Sequence, residues 1–514
     1  MTPAVPTVPA QTPRATLNPR TQLLLEGRIT TTLLRLAWPN IVVMLVQAST
    51  GLIETWFVSR LGTDALAGMA LVFPGFMMMQ MLSGGAVGGG ISSAIARALG
   101  GGRRSDADAL VWHAIIINVA LGILCSVLVL VFGPWLYGAL GGVGTSLDAA
   151  LSYSNVVFAG VALVWLMNAL ASVLRGTGNM LVPSIAICAG VALLVPLSPC
   201  LIFGFGPVPA LGIAGGGIAV VLTTALTAAA LAWYIWSGRS VVHPKLPRLR
   251  QALFIDILRV GAVGSVSTLQ TTLVFVLTTA LVGAAGGPEA VAGYGTGARL
   301  EYLLIPLVFG LGAPLVALVG TNIGAGQRAR ALRIALTGGA LAFVLTEMIG
   351  LAAAFWPQAW LGLFGSDPRM IETGSAYLHA VGPTYGFFGL GLALYFASQG
   401  AGRLIWPLLS GFLRLVIAIG GGWLALGATG SLSWLFAALA AGLVVYGITL
   451  LAAIGSGVWF PRHQRVSVRR MFRAGSHWRQ AARRLVPPSR GAVLFAGASA
   501  DTHQSGPQAR CTLR

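Results

Sequence analysis

Residues 50–68, TGLIETWFVSRLGTDALAG, place a single carboxylate, that of Glu54, near the end of an apolar helix. An unpaired charge inside the hydrocarbon of a membrane costs at least about 2.5 kcal/mol. Counting back from Glu54 in steps of seven meets Gln47 and Asn40, and Thr50 lies one turn back, so these polar groups share one stripe. The stripe predicts a helix face that lines a cavity or packs against other helices, away from lipid.

The composition of the chain is that of a membrane protein. Of its 514 residues, 56% are hydrophobic and 9% are charged, and the mean hydropathy is +0.83. Soluble domains carry roughly 25% charged residues, so the composition excludes an ordinary soluble protein. The four cysteines, Cys125, Cys188, Cys200 and Cys511, have no metal-binding or redox spacing and predict no disulfide framework.

Apolar runs long enough to cross a bilayer, about 20 residues or more, occur twelve times. They cover residues 33–58, 66–98, 109–132, 150–174, 181–203, 211–236, 254–284, 290–322, 330–356, 371–398, 404–427 and 431–459. The runs predict an all-α polytopic membrane protein with twelve transmembrane helices. Pro39 opens the first helix, and Pro74 and Pro306 lie in the long second and eighth segments, so we interpret these prolines as hinge or packing positions.

Basic residues alternate between the two sides of the predicted bundle. Most lie before helix one, in the loops after helices two, four, eight and ten, and between helices six and seven, whereas the opposite loops hold only Arg60 and Arg369. Because arginine and lysine concentrate in cytoplasmic loops, the pattern predicts a multi-pass protein of the bacterial cytoplasmic (inner) membrane with both termini in the cytoplasm. The net charge of +19 therefore reports orientation and predicts no nucleic-acid partner.

The second half of the chain repeats the first. The motifs that recur are GTDALAG (62–68) as GPEAVAG (287–293), GGGRR (100–104) as GAGQR (324–328), and GTGN (176–179) as GAGR (400–403). The offsets are 225, 224 and 224 residues, which indicates duplication of a six-helix unit, and an even helix number makes the repeats parallel. We predict an N-terminal lobe at 31–237, a cytoplasmic linker at 238–253 and a C-terminal lobe at 254–460.

The two ends of the chain differ from the rest. Residues 1–30 are rich in proline and threonine and predict a disordered cytoplasmic tail. Residues 461–514 form an Arg-rich cytoplasmic tail, in which 466–485 could form a basic amphipathic helix on the inner leaflet, with plain disorder as the alternative. Membrane lipid is thus a predicted partner, and no obligate protein partner is predicted.

Ionisable groups at membrane depth are the first candidates for function. Glu54 is one, because desolvation favours the neutral form of a carboxyl group and so lets it bind and release a proton. Glu301 in helix eight is the other, and Arg299, two residues away, points to a different face, so each needs a partner on another helix. A structural pair between helices and an ion or substrate site are both open interpretations of these two residues.

Polar and aromatic residues near these charges are the candidates for lining a cavity or binding substrate. They are Asn40, Gln47, Thr50, Gln270, Thr271, Tyr294, Arg299 and Tyr302. We find no nucleophile motif, no metal-ligand spacing and no phosphate loop in a strand–loop–helix context. The sequence therefore predicts no catalytic residue, no metal site and no cofactor, and a protein that is not an enzyme.

Several motifs together resemble those of the multidrug and toxic compound extrusion (MATE) family. They are LAWP (36–39), ETWFVSRLGTDALA (54–67), AR (96–97) followed by GGG (100–102), GTNIGAG (320–326) and QGAGR (399–403). The resemblance covers about residues 30 to 460. It implies two six-helix lobes around a central cleft and export of amphipathic, often cationic compounds in exchange for protons or sodium ions.

The chain departs from the family pattern at several positions. Glu54 stands where the family usually has Asp, which keeps a protonatable group. The resemblance also leads us to expect an Asn and an Asp in helix five, where Leu194 and Ser198 stand, and a Glu in helix seven, where Gln270 stands. These departures argue against a sodium site with several ligands. Glu54, together with Glu301, is left as the candidate for binding the coupling ion.

From these observations we expect a secondary antiporter that exports a small-molecule substrate by alternating access, with H⁺ or Na⁺ as the coupling ion. Protonation of Glu54 from outside would weaken its hold on a cationic substrate and favour release. The alternative transport function is a flippase or exporter of a lipid-linked or other endogenous metabolite. A membrane-embedded enzyme or a passive channel is the third possibility, and it lacks the clustered His, Asp or Ser motifs that an enzyme needs.

Overall fold

The computed structural model describes residues 18–206, 209–245 and 249–460, and in these ranges every regular element is a helix. Helices dominate because backbone polar groups have no water to bind inside a bilayer and must pair within their own segment. The first six spans are α1 (Ile29–Ser59), α2 (Thr63–Gly100), α3 (Arg104–Ala139), α4 (Gly144–Ala159 with Val161–Gly176), α5 (Leu181–Phe203) and α6 (Gly212–Trp236).

The second half begins with one helical run of 74 residues, Gln251–Gly324, broken at Gly287, where the backbone has φ +74°. A straight helix of that length would measure about 110 Å, several times the roughly 30 Å of a bilayer core, so the run is two spans. We name them α7 (251–286) and α8 (288–324). The remaining spans are α9 (Arg328–Phe355), α10 (Pro368–Ala401), α11 (Ile405–Thr429) and α12 (Leu432–Gly455).

The described residues thus confirm the predicted fold class. Ten helices are long and apolar enough to cross a membrane, and the bent pair that forms α4 adds an eleventh. The break at Gly287 divides one of the ten and gives twelve spans. Each half also has its own apolar core: one contains Ile91, Leu110 and Phe158, and the other contains Tyr377 and Phe436.

The internal repeat is visible in the backbone as well as in the sequence. Gly62 and its repeat partner Gly287 both have positive φ, at the turn that follows the first span of each half. At the opposite end, Gly100 lies against the backbone of Thr321, and Gly324 lies against the backbone of Arg97. The two contacts are equivalent, because Gly324 is the repeat partner of Gly100 and Thr321 is the repeat partner of Arg97. Reciprocal contacts of this kind are expected when two parallel repeats meet across an axis along the membrane normal.

We call the end of the bundle that carries Gly100 and Gly324 the arginine-rich end. There α2 and α8 approach so closely that a side chain at either glycine would collide with the other lobe's backbone. The lobes are therefore packed together at this end.

Three helices differ in detail from the sequence-based prediction. The fourth span was expected to be continuous over 150–174, but it bends by 45° at Gly160, whose missing side chain makes room for Val221 of α6. Pro39 does not open α1 but lies ten residues inside it, and Pro74 and Pro306 also lie inside helices. In α2 the backbone widens to a π-helix over Met81–Val87, a local irregularity often found at functional sites.

The N-terminal tail requires a correction. Residues 1–30 were predicted to be disordered, but Pro19–Glu26 form a helix that buries Leu24 and Leu25. Leu24 packs against Gly178, and its carbonyl accepts a hydrogen bond from Asn322 Nδ2 at 3.0 Å. The helix is stable because it docks on both lobes at the arginine-rich end. Residues 1–17 and the predicted Arg-rich tail at 461–514 lie outside the described residues.

Candidate functional site

Glu54 lies on α1, five residues before its last residue, Ser59. Its Oε1 atom is buried and has no hydrogen-bond partner among the described residues. Arg60 lies nearby in sequence but stacks on Trp56, with 4.3 Å from the guanidinium carbon to the ring centroid. Glu54 is thus a half-buried acid with one enclosed oxygen, and the described residues provide no ion pair for it.

The polar stripe on α1 has two parts with different surroundings. At its inner end Asn40 is 1% exposed, and its Nδ2 donates to the carbonyl of Phe309 on α8 at 3.3 Å. Asn40 therefore joins α1 to the other lobe. Nearer Glu54, Gln47 and Thr50 are half-buried, and the Thr50 hydroxyl donates to the carbonyl of Val46 on its own helix at 2.8 Å. Because the Thr50 hydroxyl donates its hydrogen bond within its own helix, it is not available as a donor to the Glu54 carboxylate.

Glu301 has the opposite environment. Its side chain is 3% exposed and both oxygens are engaged: Oε1 accepts from Arg414 Nη2 of α11 at 3.0 Å, and Oε2 accepts from the Tyr377 hydroxyl of α10 at 3.0 Å. The partner that the sequence required on another helix is therefore Arg414. Three helices of the C-terminal lobe meet at this carboxylate, which we call the Glu301 cluster (Glu301, Tyr377 and Arg414).

Aromatic rings enclose the Glu301 cluster. The guanidinium of Arg414 lies over the rings of Phe388 and Tyr446, at 5.3 and 5.9 Å from its carbon to the ring centroids. Tyr294 packs edge to face on Tyr377, with 5.3 Å between centroids. Cation–π contacts of this kind stabilise a desolvated guanidinium. Tyr294, Tyr377 and Arg414 also line a small cavity beside Glu301.

The other residues predicted to bind substrate do not converge on Glu301. Arg299 is exposed, and its guanidinium carbon lies 5.4 Å from the Phe364 ring centroid. Tyr302 is 44% exposed and stacks on Phe275 at 4.2 Å between centroids. The structure therefore brings Tyr294 and Glu301 together and leaves Arg299 and Tyr302 on another face.

Gln270 and Thr271 of α7 also occupy separate positions. Gln270 is buried, its Nε2 lies 3.4 Å from the carbonyl of Leu408, and its amide fills the space that a side chain at Gly411 would take. Thr271 is half-buried, and its hydroxyl donates to the carbonyl of Ser267 one turn earlier at 3.2 Å. Both residues are in helix contacts in this conformation.

Sequence reasoning missed Tyr377. A tyrosine in an apolar helix is most often part of the core, and nothing in its spacing connects it with Glu301, 76 positions earlier. Arg414 could be recognised as a charge at membrane depth, but its partner could not be chosen from the sequence. The only available signal was that Glu301 and Arg414 are opposite charges in helices of the same predicted lobe.

A second group of polar contacts holds the lobes together at the arginine-rich end. We call it the inter-lobe latch; it consists of Ser93, Arg97, Asp256, Gln399 and Gly400. The Ser93 hydroxyl donates to the Gln399 carbonyl at 2.5 Å, and Arg97 donates to the Gly400 carbonyl at 3.3 Å and to Asp256 Oδ1 at 2.7 Å. The latch links α2 of the first lobe to α7 and α10 of the second.

These features define a class of protein. Twelve apolar spans, two repeated halves and charged groups held at membrane depth are the architecture of a multi-pass membrane transporter, not of an enzyme. The MatE family model matches residues 39–200 and 265–424, which is more than half of the chain. The chain belongs to the MatE family.

The curated relatives agree with this assignment and differ in their substrates. The chain is 29% identical over 401 residues to a protein named FAD transporter from Shewanella oneidensis, covering 77% of this chain and 87% of that one. It is 25% identical to the probable multidrug resistance protein NorM of Thermotoga maritima, with 74% and 82% covered. It is 24% identical to the multidrug export protein MepA of Staphylococcus aureus, with 74% and 84% covered.

Solved structures share the fold. A MOP superfamily transporter from Pyrococcus furiosus Vc1 superposes with a TM-score of 0.78 at 24% identity, covering 86% of this chain and 99% of that one. An outward-facing multidrug resistance MATE family transporter of the MOP superfamily superposes with a TM-score of 0.79 at 24% identity, with 86% and 98% covered. At this identity the similarity establishes the fold alone.

Proposed function

We propose that this protein is a secondary antiporter that exports amphipathic, cationic compounds by alternating access, with Glu54 as the group that couples export to proton entry. The observation that carries the proposal is the buried Oε1 atom of Glu54, which has no hydrogen-bond partner among the described residues. An enclosed carboxylate oxygen without a hydrogen-bond donor favours the binding of a cation or a proton.

The coupling follows from competition at one carboxylate. The ionised form of Glu54 attracts a cationic substrate, and the neutral form does not. Proton entry from the outside therefore favours substrate release, and proton loss to the cytoplasm restores the binding form. Each ligand shifts the protein toward the conformation in which it binds more tightly.

Several features support protons over sodium ions. Hard cations take several oxygen ligands in proteins, and Leu194 and Ser198 stand where the family resemblance leads us to expect an Asn and an Asp. One unpartnered carboxylate is enough for a proton. Sodium coupling remains the alternative that the experiment below separates.

The proposed location is the bacterial cytoplasmic membrane with both termini inside. The support is the concentration of arginine in the loops at one end of the bundle. In that orientation the inter-lobe latch closes the cytoplasmic side. Membrane lipid surrounds the bundle, and the proposal needs no obligate protein partner.

The test is uptake of the cationic dye ethidium into inside-out vesicles, driven separately by a proton gradient and by a sodium gradient. We expect proton-driven uptake by the wild type, background uptake by Glu54→Gln and retained uptake by Glu54→Asp, which keeps a titratable group. Glu372→Gln, which changes an exposed acid, is the matched control. Normal uptake by Glu54→Gln would assign Glu54 a structural role. Wild-type uptake driven only by the sodium gradient would show that the coupling ion is Na⁺ and not H⁺.

A second candidate function is export of an endogenous metabolite. The relative named FAD transporter, at 29% identity, is the observation that favours it. Flavin fluorescence in the medium of cells expressing the wild type or Glu54→Gln measures this activity. If the wild type secretes flavin and transports no dye from a panel of cations, the second candidate replaces the first.

A further inference from the structure

A second internal cavity lies between the two lobes and shares no lining residue with the cavity beside Glu301. Its walls come from α2 and α4 of the first lobe and from α8 and α10 of the second. The cavity contains one charged side chain, Arg175 in the last turn of α4. Neither the proton-coupling mechanism nor the latch uses this residue.

Arg175 is 5% exposed, and the described residues place no carboxylate within ion-pair distance of it. Its Nε atom is buried and has no hydrogen-bond acceptor there. Arginine stays protonated in proteins, so a full positive charge is enclosed in the bundle. The C-terminus of α4 offers only roughly half a compensating charge.

Two neighbours of Arg175 in the cavity have unpaired polar atoms as well. They are the Ser172 hydroxyl oxygen and the Oε1 atom of Gln399, and both are buried without a partner among the described residues. Buried polar atoms are nearly always hydrogen-bonded. The Arg175 Nε–H and the Ser172 hydroxyl are donors that a ligand oxygen can satisfy, whereas Gln399 Oε1 is an acceptor and needs a donor.

The cavity lies on the axis of the internal repeat. Five pairs of lining residues are each separated by 224 positions: Gly85 with Phe309, Gly89 with Ala313, Ser92 with Val316, Ser172 with Phe396, and Arg175 with Gln399. In three pairs the first lobe supplies a hydroxyl or a charge, and in four pairs the second lobe supplies an apolar side chain. The repeat has therefore diverged to give the cavity one polar, cationic wall and one wall that is largely apolar.

The apolar wall contains aromatic rings. Phe309 and Phe396 pack edge to face, with 5.3 Å between ring centroids. Because they line the same cavity as Arg175, they suit the apolar or aromatic part of a ligand whose anionic group reaches the guanidinium. The cavity thus combines the two contacts that an amphipathic anion needs.

We propose that Arg175 binds an oxyanion, a carboxylate or a phosphate, on an amphipathic substrate, with Ser172 as a hydroxyl donor and the phenylalanine wall facing the apolar part. This substrate class is the one expected for the second candidate function, so the inference rests on the protein being a small-molecule exporter. It does not rest on proton coupling at Glu54.

The conformational cycle explains why the site is small when the lobes are together. In this conformation the cavity has room for about one water molecule, so a ligand enters when the arginine-rich end opens. In the closed form the guanidinium is buried without a charge partner, whereas a bound oxyanion pairs with it in the open form. Bound oxyanion should therefore favour the open arginine-rich end, and its release lets that end close.

The test compares flavin mononucleotide with riboflavin, two fluorescent ligands that differ by one phosphate. Binding to purified protein in phosphatidylcholine nanodiscs is followed by fluorescence anisotropy, without any ion gradient. We expect the wild type to bind flavin mononucleotide at least tenfold more tightly. The preference should disappear in Arg175→Gln, persist in part in Arg175→Lys, and remain in the control Arg299→Gln, which removes an exposed arginine.

The outcomes separate the two proposals. Glu54→Gln should keep the preference for the phosphate, so a failure of proton coupling leaves this result unchanged. An equal affinity of the wild type for both flavins, or a preference that survives in Arg175→Gln, would overturn the oxyanion site.

Because Arg175→Gln removes a buried side chain and could unfold the protein, a second measurement uses the wild type alone. Inorganic phosphate or acetate should displace flavin mononucleotide at concentrations where sodium chloride of equal ionic strength does not. The more effective competitor identifies the oxyanion, and displacement by neither overturns the proposal. Adding phosphatidic acid to the nanodiscs tests whether the oxyanion belongs to a lipid or to a soluble compound. If the site binds a lipid phosphate, phosphatidic acid should weaken flavin mononucleotide binding; if it binds only soluble compounds, the binding should not change.

Discussion

Glu54 and Glu301 are both acids in membrane-spanning helices, one in each lobe, and their surroundings are opposite. Glu301 has an arginine and a tyrosine hydroxyl, each 3.0 Å from one of its oxygens, whereas Glu54 has a buried oxygen that no described residue reaches. Loss of either member of a buried ion pair leaves an uncompensated charge, so Glu301 and Arg414 hold each other in place. Glu54 has no such partner among the described residues. The comparison separates a charge that stabilises a lobe from one that is free to couple transport.

The largest effect that we expect distinguishes the two acids by stability. Glu301→Gln leaves Arg414 buried without its charge partner and should lower the free energy of unfolding by about 3 kcal/mol. Glu54→Gln removes an unpaired acid and should leave stability unchanged or slightly raised. Thermal unfolding of both variants in the same detergent checks this, with the exposed Glu372→Gln as control. Equal stability losses at Glu54 and Glu301 would contradict the distinction.

The next prediction concerns the pair itself. The double variant Glu301→Gln/Arg414→Gln removes both charges and should recover most of the loss, to within about 1 kcal/mol of the wild type. The reason is that the cost of the single variant comes mainly from the charge left behind. A complete double-mutant cycle by thermal unfolding measures the coupling. Additive losses would mean that the two side chains act independently.

A smaller effect is expected at Tyr377. Tyr377→Phe keeps the ring and its contact with Tyr294 but removes the hydroxyl that donates to Glu301. The free energy of unfolding should fall by about 1 kcal/mol, less than for loss of Arg414. The control is Tyr302→Phe on the exposed face of α8. A loss as large as that of Glu301→Gln would show that the hydroxyl, and not the arginine, holds the carboxylate.

The smallest effect is expected for the ion pair of the inter-lobe latch, because solvent screens it. Asp256 is 46% exposed, in contrast to Glu301, and Asp256→Asn should change the balance between closed and open arginine-rich ends by only about twofold. Electron-spin distance measurements between labels at Arg104→Cys and Arg403→Cys, in a background without the native cysteines, report this balance.

The matched control for the latch is Asp148→Asn, an exposed acid of the same lobe as Arg97. The control should leave the distance distribution unchanged. A population shift of tenfold or more in Asp256→Asn would mean that the Arg97–Asp256 pair is not screened and dominates the latch.

Much of the fold could be predicted from the sequence because length and hydropathy are local properties. Every predicted span corresponds to a helix, and the duplication was visible as recurring glycine motifs. The bend at Gly160 was missed because a glycine in an apolar run is compatible with a straight helix until a neighbour packs against it. The helix at Pro19–Glu26 was missed although Asn18 and Pro19 carry a helix-start signature, in which Asn18 caps the Arg20 N–H at 3.0 Å.

The sequence by itself determined that Glu54, Glu301 and Arg414 carry charge into membrane-spanning helices. Insertion into a bilayer depends on composition along one segment, so these residues stand out without any structure, whereas Arg175 was assigned to the loop after helix four. Only the tertiary structure decided which of them are paired. Pairing depends on helices far apart in the chain meeting side by side, and it gives Glu301 a partner while it leaves Glu54 and Arg175 without one among the described residues.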